Sequence, residues 1–321
     1  MGRQLIWVQG TGIIMSQDLK KLDLVTVFHS GDAELLKLQG LSINTFFTHD
    51  DIGTITLIAN EPNVYLDTLD RTALTAFYGD LQDRVVFVSR ADLGLDAAIK
   101  WGWKSQQALK LLSHRCVSSE RCLILDTKNH FVRDCGVSDF FDSTNTPRLY
   151  YRKKFGQQQT WIRNSFQYFD APAPADPDEK HLPTITPYPV KTKVLSAICE
   201  MIAKQSGSVA KLFNDPGFEG TEFYLVYSYL HTLEGGLKKN ARPDGVMPLT
   251  LFAGWPHEDR DIDWIIADVA KGKCLSFALH KNRKVAISAQ QWRDIQTMWD
   301  GLGLTIPSVI DFYEASGSVK T

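Results

Sequence analysis

Five consecutive residues with different hydrogen-bonding groups stand near the middle of the chain. In order they carry a carboxylate, a hydroxyl, an ammonium, an amide and an imidazole: Asp126, Thr127, Lys128, Asn129 and His130. They directly follow the apolar run Leu123–Leu125, which is typical of a buried strand. Ligands in open α/β sheets bind beyond the carboxyl ends of the strands. The segment is therefore predicted to form the floor of a ligand site, and the alternative is an ordinary surface turn.

Three earlier strands are predicted to end in the same way, with polar residues after an apolar run. They are predicted at Asp23–His29, Thr54–Ala59 and Arg84–Ser89. The polar residues after them are Ser30, Gly31 and Asp32, then Asn60 and Glu61, then Arg90. Helical stretches separate these strands, which favours a mostly parallel sheet with right-handed crossovers. The polar ends would then line one edge of the sheet, and the helix that begins after Asp32 offers a favourable place for phosphate.

Two predicted helices also carry polar residues that could reach this edge. A helix predicted at Leu95–Leu112 contains Gln106 and Gln107, and a buried glutamine needs hydrogen-bond partners or a ligand. A helix within Gly220–His231 has Glu222 in its first turn, where a carboxylate also suits the helix dipole.

A late strand repeats the pattern of the opening one. It is predicted at Cys274–Leu279 and ends in His280, Lys281, Asn282 and Arg283. The basic side chains of this run, Lys281 and Arg283, could contact phosphate. The alternative for a lone histidine is a structural role.

Composition narrows the class of protein. The 321 residues suit one large α/β domain or two modest ones, and 44% hydrophobic and 22% charged residues are ordinary for a globular enzyme. The formal net charge of −2 gives no general reason to bind nucleic acid. No run approaches the roughly 18–20 apolar residues of a membrane span. Five widely spaced cysteines without a C-x-x-C pair favour reduced thiols in a cytoplasmic protein.

The order and spacing of these segments resemble a known family. The chain reads strand, S-G-D, helix, T-I-T-L-I-A-N-E, R-V-V-F-V-S-R-A-D, G-W-x-x-Q-Q-x-L-K-L and L-I-L-D-T-K-N-H-F. Over roughly Leu22–Leu304 it resembles bacterial GT-A-type glycosyltransferases, most of all a poorly characterised DUF-class group linked to surface polysaccharides such as capsule or O-antigen. The resemblance implies an α/β, GT-A-like (Rossmann-like) fold, with a mostly parallel sheet flanked by helices and an irregular acceptor-side subdomain.

The resemblance also implies a nucleotide-sugar or sugar-phosphate site after the opening strand. In the superfamily, an Asp-x-Asp motif there binds a divalent metal that holds the donor diphosphate. Asp126 fits the first acid, but Lys128 replaces the second. Two alternatives follow. Either Asp126 binds Mg²⁺ or Mn²⁺ with His280 and with Asn129 or water, or the ammonium of Lys128 neutralises phosphate charge in place of the metal.

Catalytic and binding roles follow from the same resemblance. Glu222 matches an acid that the family places under the acceptor, where it would bind the acceptor hydroxyl or act as base. Asp126 is the second catalytic candidate. The expected donor-binding residues are Ser30, Gly31, Asp32, Asn60, Glu61, Arg90, Gln106, Gln107, Lys128, Asn129, His280 and Lys281.

The acceptor pocket is expected in the second half of the chain. Tyr150–Phe169 is rich in aromatic and basic residues, on which sugars could stack, and the proline-rich Ala171–Glu179 is predicted to be a surface loop or hinge. The candidates for acceptor contacts are His181, Thr184, Thr186 and Tyr188.

Four segments are expected. Residues 1–22 would be a leader or a vector-derived segment, 23–137 the donor-binding half, 138–304 the acceptor half of the same domain, and 305–321 a partly ordered tail.

The expected activity is transfer of a sugar from a nucleotide- or pyrophosphate-activated donor to a hydroxyl of an oligosaccharide or lipid-linked glycan. It is expected in the cytoplasm or at the inner face of the membrane, with partner domains of a larger polysaccharide-synthesis enzyme. One alternative is a non-catalytic nucleotide- or glycan-binding module on the same fold. Another is an α/β nucleotidyl or phosphoryl transferase, which the missing G-x-x-x-x-G-K-(S/T) and G-x-G-x-x-G loops disfavour.

Overall fold

The computed structural model describes residues 21–61, 64–95, 99–100, 102–153, 158–173, 180–181, 185–233 and 235–319. The strands are β1 (Leu22–Phe28), β2 (Ile52–Ala59), β3 (Val85–Ser89), β4 (Arg121–Asp126), β5 (Asn129–Phe131), β6 (Arg152–Lys153), β7 (Lys180–His181), β8 (Tyr188–Lys191), β9 (Leu249–Leu251) and β10 (Ser276–Leu279). The helices are α1 (Ala33–Phe46), α2 (Val64–Thr68), α3 (Arg71–Thr75), α4 (Trp103–Leu112), α5 (Val137–Phe140), α6 (Gln158–Tyr168), α7 (Thr192–Ser206), α8 (Val209–Asn214), α9 (Glu222–Thr232), α10 (Gly236–Asn240), α11 (Asp259–Ala270), α12 (Ala289–Gly301) and α13 (Pro307–Ala315). Among the described residues, no helix is both long and apolar enough to cross a membrane.

The central sheet has five strands in the order β3–β2–β1–β4–β8. The first four run parallel, and β8 pairs antiparallel with β4 at the edge. Every residue of β1 is buried because helices cover both faces of the sheet. Alternate residues of β1 pack against α1 on one face and against α4, α7 and α9 on the other. The prediction of an α/β fold with a mostly parallel sheet flanked by helices is confirmed.

The strand order reverses direction between β1 and β4. The chain builds outward from β1 to β2 and β3, then returns to place β4 on the other side of β1. Crossover connections on either side of such a switch point leave a crevice at the carboxyl ends of the two strands. The register pairs Val27 with Asp126, so the residues after β1 and the end of β4 meet at this crevice.

A smaller sheet, in the order β5–β10–β9, stands beside the crevice. The chain reverses after Asp126 and continues directly into β5, which pairs antiparallel with β10. This pairing carries His280, the residue after β10, to the same place as the end of β4. Helix α1 packs between the sheets, since Leu35 and Leu38 contact the core of the small sheet while Leu36 and Ile43 contact that of the large one.

One local prediction was wrong. The C-terminal residues expected to form a tail instead form α13, whose Val309 and Tyr313 are buried against the small sheet, because its apolar side completes that core. The helical stretch expected between the second and third strands is divided into α2 and α3, which are followed by a 3₁₀ segment, Ala76–Arg84, with Gly79 at φ +50°.

His130 lies in the core of the small sheet, so its predicted place in the site floor was wrong. Side chains on a strand alternate between faces, and β5 points His130 away from the cavity. Its Nε2 accepts a hydrogen bond from Trp299 Nε1 at 2.9 Å, and its ring packs edge-on against Phe277. Burial lowers the pKa of His130 to about 4, although the contact with the Lys128 carbonyl acts to raise it.

This histidine should make the stability of the protein depend on pH. A lowered pKa in the folded state means that its contribution is complete above the unfolded value of 6.5 and is lost as the pH falls toward about 4. At about 1.4 kcal/mol for each unit of pKa shift, the loss is about 3 kcal/mol.

We predict that the free energy of unfolding in urea falls more steeply between pH 7.5 and pH 4.5 in the wild type than in His130→Gln. Glutamine keeps an acceptor for Trp299 but does not titrate. The expected difference between the two declines is about 2–3 kcal/mol. Equal declines would show that His130 does not titrate as a buried neutral side chain.

Candidate active site

A cavity of about 270 Å³ lies at the switch point between β1 and β4. Its walls come from the residues after β1, β2, β4 and β10 and from the start of α4. The lining side chains are His29, Asp32, Leu35, Asn60, Trp103, Gln106, Asp126, Thr127, Lys128, His280, Lys281 and Asn282, with the backbone of Gly102. The cavity thus brings together seven of the predicted site residues: Asp32, Asn60, Gln106, Asp126, Lys128, His280 and Lys281.

The floor of the cavity is the turn after β4, whose backbone is fixed by hydrogen bonds with two side chains. The Asn129 side chain accepts a hydrogen bond from the Asp126 backbone N–H at 2.7 Å, and its own amide donates to the Thr186 carbonyl at 3.2 Å. Gln39 on α1 donates to the carbonyls of Asp126 and Asn129, at 2.8 and 3.1 Å. Asn129 and Gln39 therefore position the floor and do not line it. Gln39 was not among the predicted site residues. The feature that could have indicated it is a polar residue on the apolar side of α1.

Four charged side chains form a continuous series of ion pairs that begins in the cavity floor. Asp126 pairs with Lys128 at 2.5 Å and with Lys110 at 2.7 Å. Lys110 also pairs with Glu222 at 3.1 Å, and its ammonium lies 5.1 Å from the centre of the Phe223 ring. Lys110 was missed, although a lysine one turn after Gln107 on a buried helix face requires an acidic partner.

Burial and pairing shift the pKa values of these groups in different directions. Burial acts to raise the pKa of Asp126, but the two ammonium groups outweigh it and hold the pKa well below its ordinary value. Burial raises the pKa of Glu222, and Lys110 offsets only part of that rise. For Lys110, burial acts to lower the pKa, but the two carboxylates outweigh it and raise the pKa. Asp126 therefore stays ionised, and Glu222 is the more basic of the two acids.

Glu222 does not line the cavity. Its side chain is only 6% exposed and lies on the far side of Lys110 from Asp126. The first turn of α9 holds it there, where the Thr221 hydroxyl caps the helix by accepting the Tyr224 N–H. Glu222 was expected under the acceptor. It is instead linked to the cavity-lining Asp126 by the two ion pairs of Lys110.

A second set of charges forms the opposite wall. Asp32 pairs with His29 at 2.8 Å and with Lys281 at 2.5 Å. The His29 Nδ1 accepts the Gly31 N–H, so the proton on Nε2 faces Asp32. Burial acts to raise the pKa of Asp32, but the bonds from His29 and Lys281 outweigh it and lower the pKa. Lys281 also donates to the Gly31 carbonyl at 2.6 Å, and a Cβ on Gly31 would lie within 3.2 Å of both basic groups.

Other predicted residues lie close to the cavity without lining it. Glu61 accepts the N–H and the hydroxyl of Ser30, at 2.6 and 2.8 Å, which ties the ends of β1 and β2 together. The Asn60 amide, which does line the cavity, accepts from Ser105 and donates to the Gly102 carbonyl, so it fixes the start of α4.

Arg90, Arg283 and Gln107 are not part of the cavity lining. Arg90 donates to the carbonyls of Asn60 and Ile99, and Arg283 donates to those around Phe252 and Pro256. Both guanidinium groups are buried, where they satisfy loop carbonyls. Gln107 is buried, with no hydrogen-bond partner for its amide among the described residues.

Of the four candidates for acceptor contacts, Thr186 and Tyr188 have described side chains, and neither lines the cavity. Tyr188 is fully buried and stacks on Phe223 at 4.0 Å, because β8 is covered by α9. Thr186 is also buried. Thr184 and the His181 side chain lie outside the described residues, as do residues 174–179 of the predicted connector.

The side chains that line the cavity do not offer the set of oxygen ligands that Mg²⁺ or Mn²⁺ requires. Such ions require several oxygen ligands, and each oxygen of Asp126 already accepts from an ammonium. Asp32 is likewise paired on both oxygens. Among the described residues, no group of three or more His, Cys, Asp and Glu side chains could hold a metal ion. The charges of this site favour the alternative in which Lys128 provides the positive charge.

Comparison with known proteins gives weak matches. No protein-family model and no curated protein matches the chain. It is similar to the solved structure of galactosyltransferase LgtC with donor and acceptor sugar analogs, at 11% identity over 91% of this chain and 99% of that one, with a TM-score of 0.47. An active-site mutant of LgtC matches at 12% with the same coverage and TM-score. The bifunctional glycosyltransferase WbbM matches at 9% over 94% of this chain and 53% of that one, with a TM-score of 0.46, so this chain spans about half of its length.

The buried lysine should be essential for stability. We predict that Lys110→Met lowers the free energy of unfolding by about 3 kcal/mol or more, because it leaves Glu222 buried without its partner. Adding Glu222→Gln to this variant should restore at least about 1 kcal/mol, since a neutral amide needs no counter-charge.

Urea unfolding of the two variants measures this, with Lys37→Met as the control. Lys37 pairs with Glu34 in a half-exposed position on α1, so its loss should cost less than about 1 kcal/mol. A cost for Lys110→Met no larger than that of the control would contradict the assignment.

Proposed function

We propose that the chain is a glycosyltransferase that moves a sugar from a nucleotide- or pyrophosphate-activated donor to a glycan hydroxyl. The observation that carries this proposal is the convergence of Lys128 and Lys281 beside Asp126 at the switch point of the sheet. Two ammonium groups in one cavity suit a diphosphate, and carboxylate and amide groups beside them suit sugar hydroxyls.

Phosphate would bind between the two lysines. An ammonium carries three N–H donors. The contacts described above use one donor of Lys128 and two of Lys281. Donors therefore remain for phosphate oxygens, and the His29 and His280 rings border the same space. As the bond between the sugar and the phosphate breaks, these cations would stabilise the charge that develops on the leaving diphosphate.

Asp126 would contact the acceptor. In the proposed transfer, the acceptor oxygen bonds to the anomeric carbon, and the diphosphate leaves with the electron pair of the broken bond. The ion pairs of Asp126 make it a weak base, so it orients the hydroxyl by accepting its hydrogen bond. The departing diphosphate, which is more basic, takes the proton. Glu222 is then a positioning residue that acts through Lys110.

The proposal also concerns the metal requirement of the reaction, its place in the cell, and the acceptor and partner domains. Lys128 would replace the divalent metal, so transfer would not require Mg²⁺ or Mn²⁺. The acceptor would be an oligosaccharide or a lipid-linked glycan in surface polysaccharide synthesis, such as that of capsule or O-antigen. The reaction would take place in the cytoplasm or at the inner face of the membrane, alongside further domains of a larger enzyme.

Ligand binding provides a direct test. We predict that one class within a panel of nucleotide sugars and sugar pyrophosphates raises the melting temperature, because a ligand that binds the folded state stabilises it. The rise should be the same in EDTA as in Mg²⁺ or Mn²⁺. Lys128→Met should reduce the affinity at least tenfold, since it removes a charge-assisted contact worth about 1.5–3 kcal/mol.

Lys204→Met, on the exposed surface of α7, is the matched control and should retain the wild-type affinity. No shift with any donor would contradict the proposal. A shift that requires Mg²⁺ or Mn²⁺ would contradict the role of Lys128 as the replacement for the metal.

One observation favours the non-catalytic binding module as a second candidate. Both catalytic candidates, Asp126 and Glu222, are committed to ion pairs, and Glu222 does not line the cavity. Mass-spectrometric analysis of donor with a panel of acceptors separates the two functions. A transferase converts the bound donor and an acceptor into a glycosylated product, whereas a binding module forms no product.

A further inference from the structure

Trp103 is a large apolar side chain that the fold leaves exposed at the mouth of the cavity. It is the first residue of α4, its side chain is 54% exposed, and it lines the cavity together with Gln106. Tryptophan is mostly buried in folded proteins. An exposed indole that borders a polar cavity therefore presents a flat apolar surface to whatever the cavity binds.

A second indole continues this surface. Trp161 on α6 lies with its ring centre 5.8 Å from that of Trp103, and the two ring planes are inclined by 39°. Trp161 is not one of the residues that line the cavity. The two rings, here called the indole face, thus begin in the cavity with the half-exposed Trp103 and continue onto Trp161, which is partly buried against the core.

We propose that the indole face binds the acceptor glycan by stacking against its sugar rings, an inference that rests on the proposed transferase function. One face of a pyranose ring presents C–H groups, whose partial positive charge suits the electron-rich face of an indole. Gln106 lies one turn after Trp103 and lines the cavity, so its amide can bond to the hydroxyls of the stacked sugar.

Position distinguishes a glycan from the base of a nucleotide donor. A nucleotide offers a single base, whereas the indole face has two rings, and the second ring does not line the cavity. Successive sugar units of an oligosaccharide would occupy such a surface while the terminal unit enters the cavity near Asp126. A half-exposed platform also suits a chain that must remain partly in solvent.

Binding to an array of oligosaccharides tests the inference without any transfer reaction. The variants are Trp103→Ala and Trp161→Ala, and the control is Trp264→Ala, which removes an indole that is 46% exposed on α11. We expect Trp103→Ala to weaken binding of the best wild-type glycan at least tenfold, and Trp161→Ala to weaken it less. The control should bind glycan as the wild type does, and both Trp161→Ala and the control should keep the thermal shift given by the nucleotide-sugar panel.

Each result bears on one of the two proposals. Wild-type protein that binds no glycan, or Trp103→Ala with unchanged glycan affinity, overturns the indole face. Loss of the nucleotide-sugar shift in Trp103→Ala with glycan affinity retained assigns the ring to a base and also overturns it. Glycan binding that depends on Trp103, without a shift from any donor, supports the indole face while contradicting the transferase.

Discussion

The ammonium of Lys110 lies between two carboxylates at the meeting point of α4, β4 and α9. Burial without a counter-charge raises the pKa of an acid until it takes up a proton, so Lys110, together with Lys128 at Asp126, sets the charge of these carboxylates. With Lys128 it keeps Asp126 ionised in the cavity floor, and it connects Glu222, from the second half of the chain, to a floor built by the first half. The arrangement of charge in the site depends on this contact.

The second constraint is the reversal of the chain after Asp126. The turn is fixed by Asn129 and Gln39, and it sends the chain into β5 rather than into a surface loop. Because β5 pairs with β10, the same turn that exposes Lys128 also brings His280 and Lys281 to the cavity from a segment about 150 residues later. The polar stretch at the end of β4 therefore has two roles, because Asp126, Thr127 and Lys128 line the cavity whereas Asn129 and His130 are buried away from it.

The proposed function follows from this charge distribution. The acids of the cavity are paired with lysines, so the site offers cationic donors to a phosphate while retaining acceptors for hydroxyl groups. The indole face adds an apolar surface that the charged walls lack. Together these features suit a ligand with an anionic end and a sugar end, as an activated sugar and its acceptor provide.

The sequence by itself determined which strand ends carry polar residues. Strands that end in polar residues are visible in a single chain, because apolar runs and their ends are local properties. In this way Asp32, Asn60, Asp126, Lys128, His280 and Lys281 were predicted, and the structure brings them to one cavity. The tertiary structure decided which polar residues face the cavity. Arg90 and Arg283 satisfy buried carbonyls, His130 joins the core, and Glu222 stands behind Lys110, since strand order, β-strand alternation and the packing of distant helices set the direction of each side chain. A local sequence pattern does not contain that information, because interacting residues such as His130 and Trp299 lie 169 residues apart along the chain.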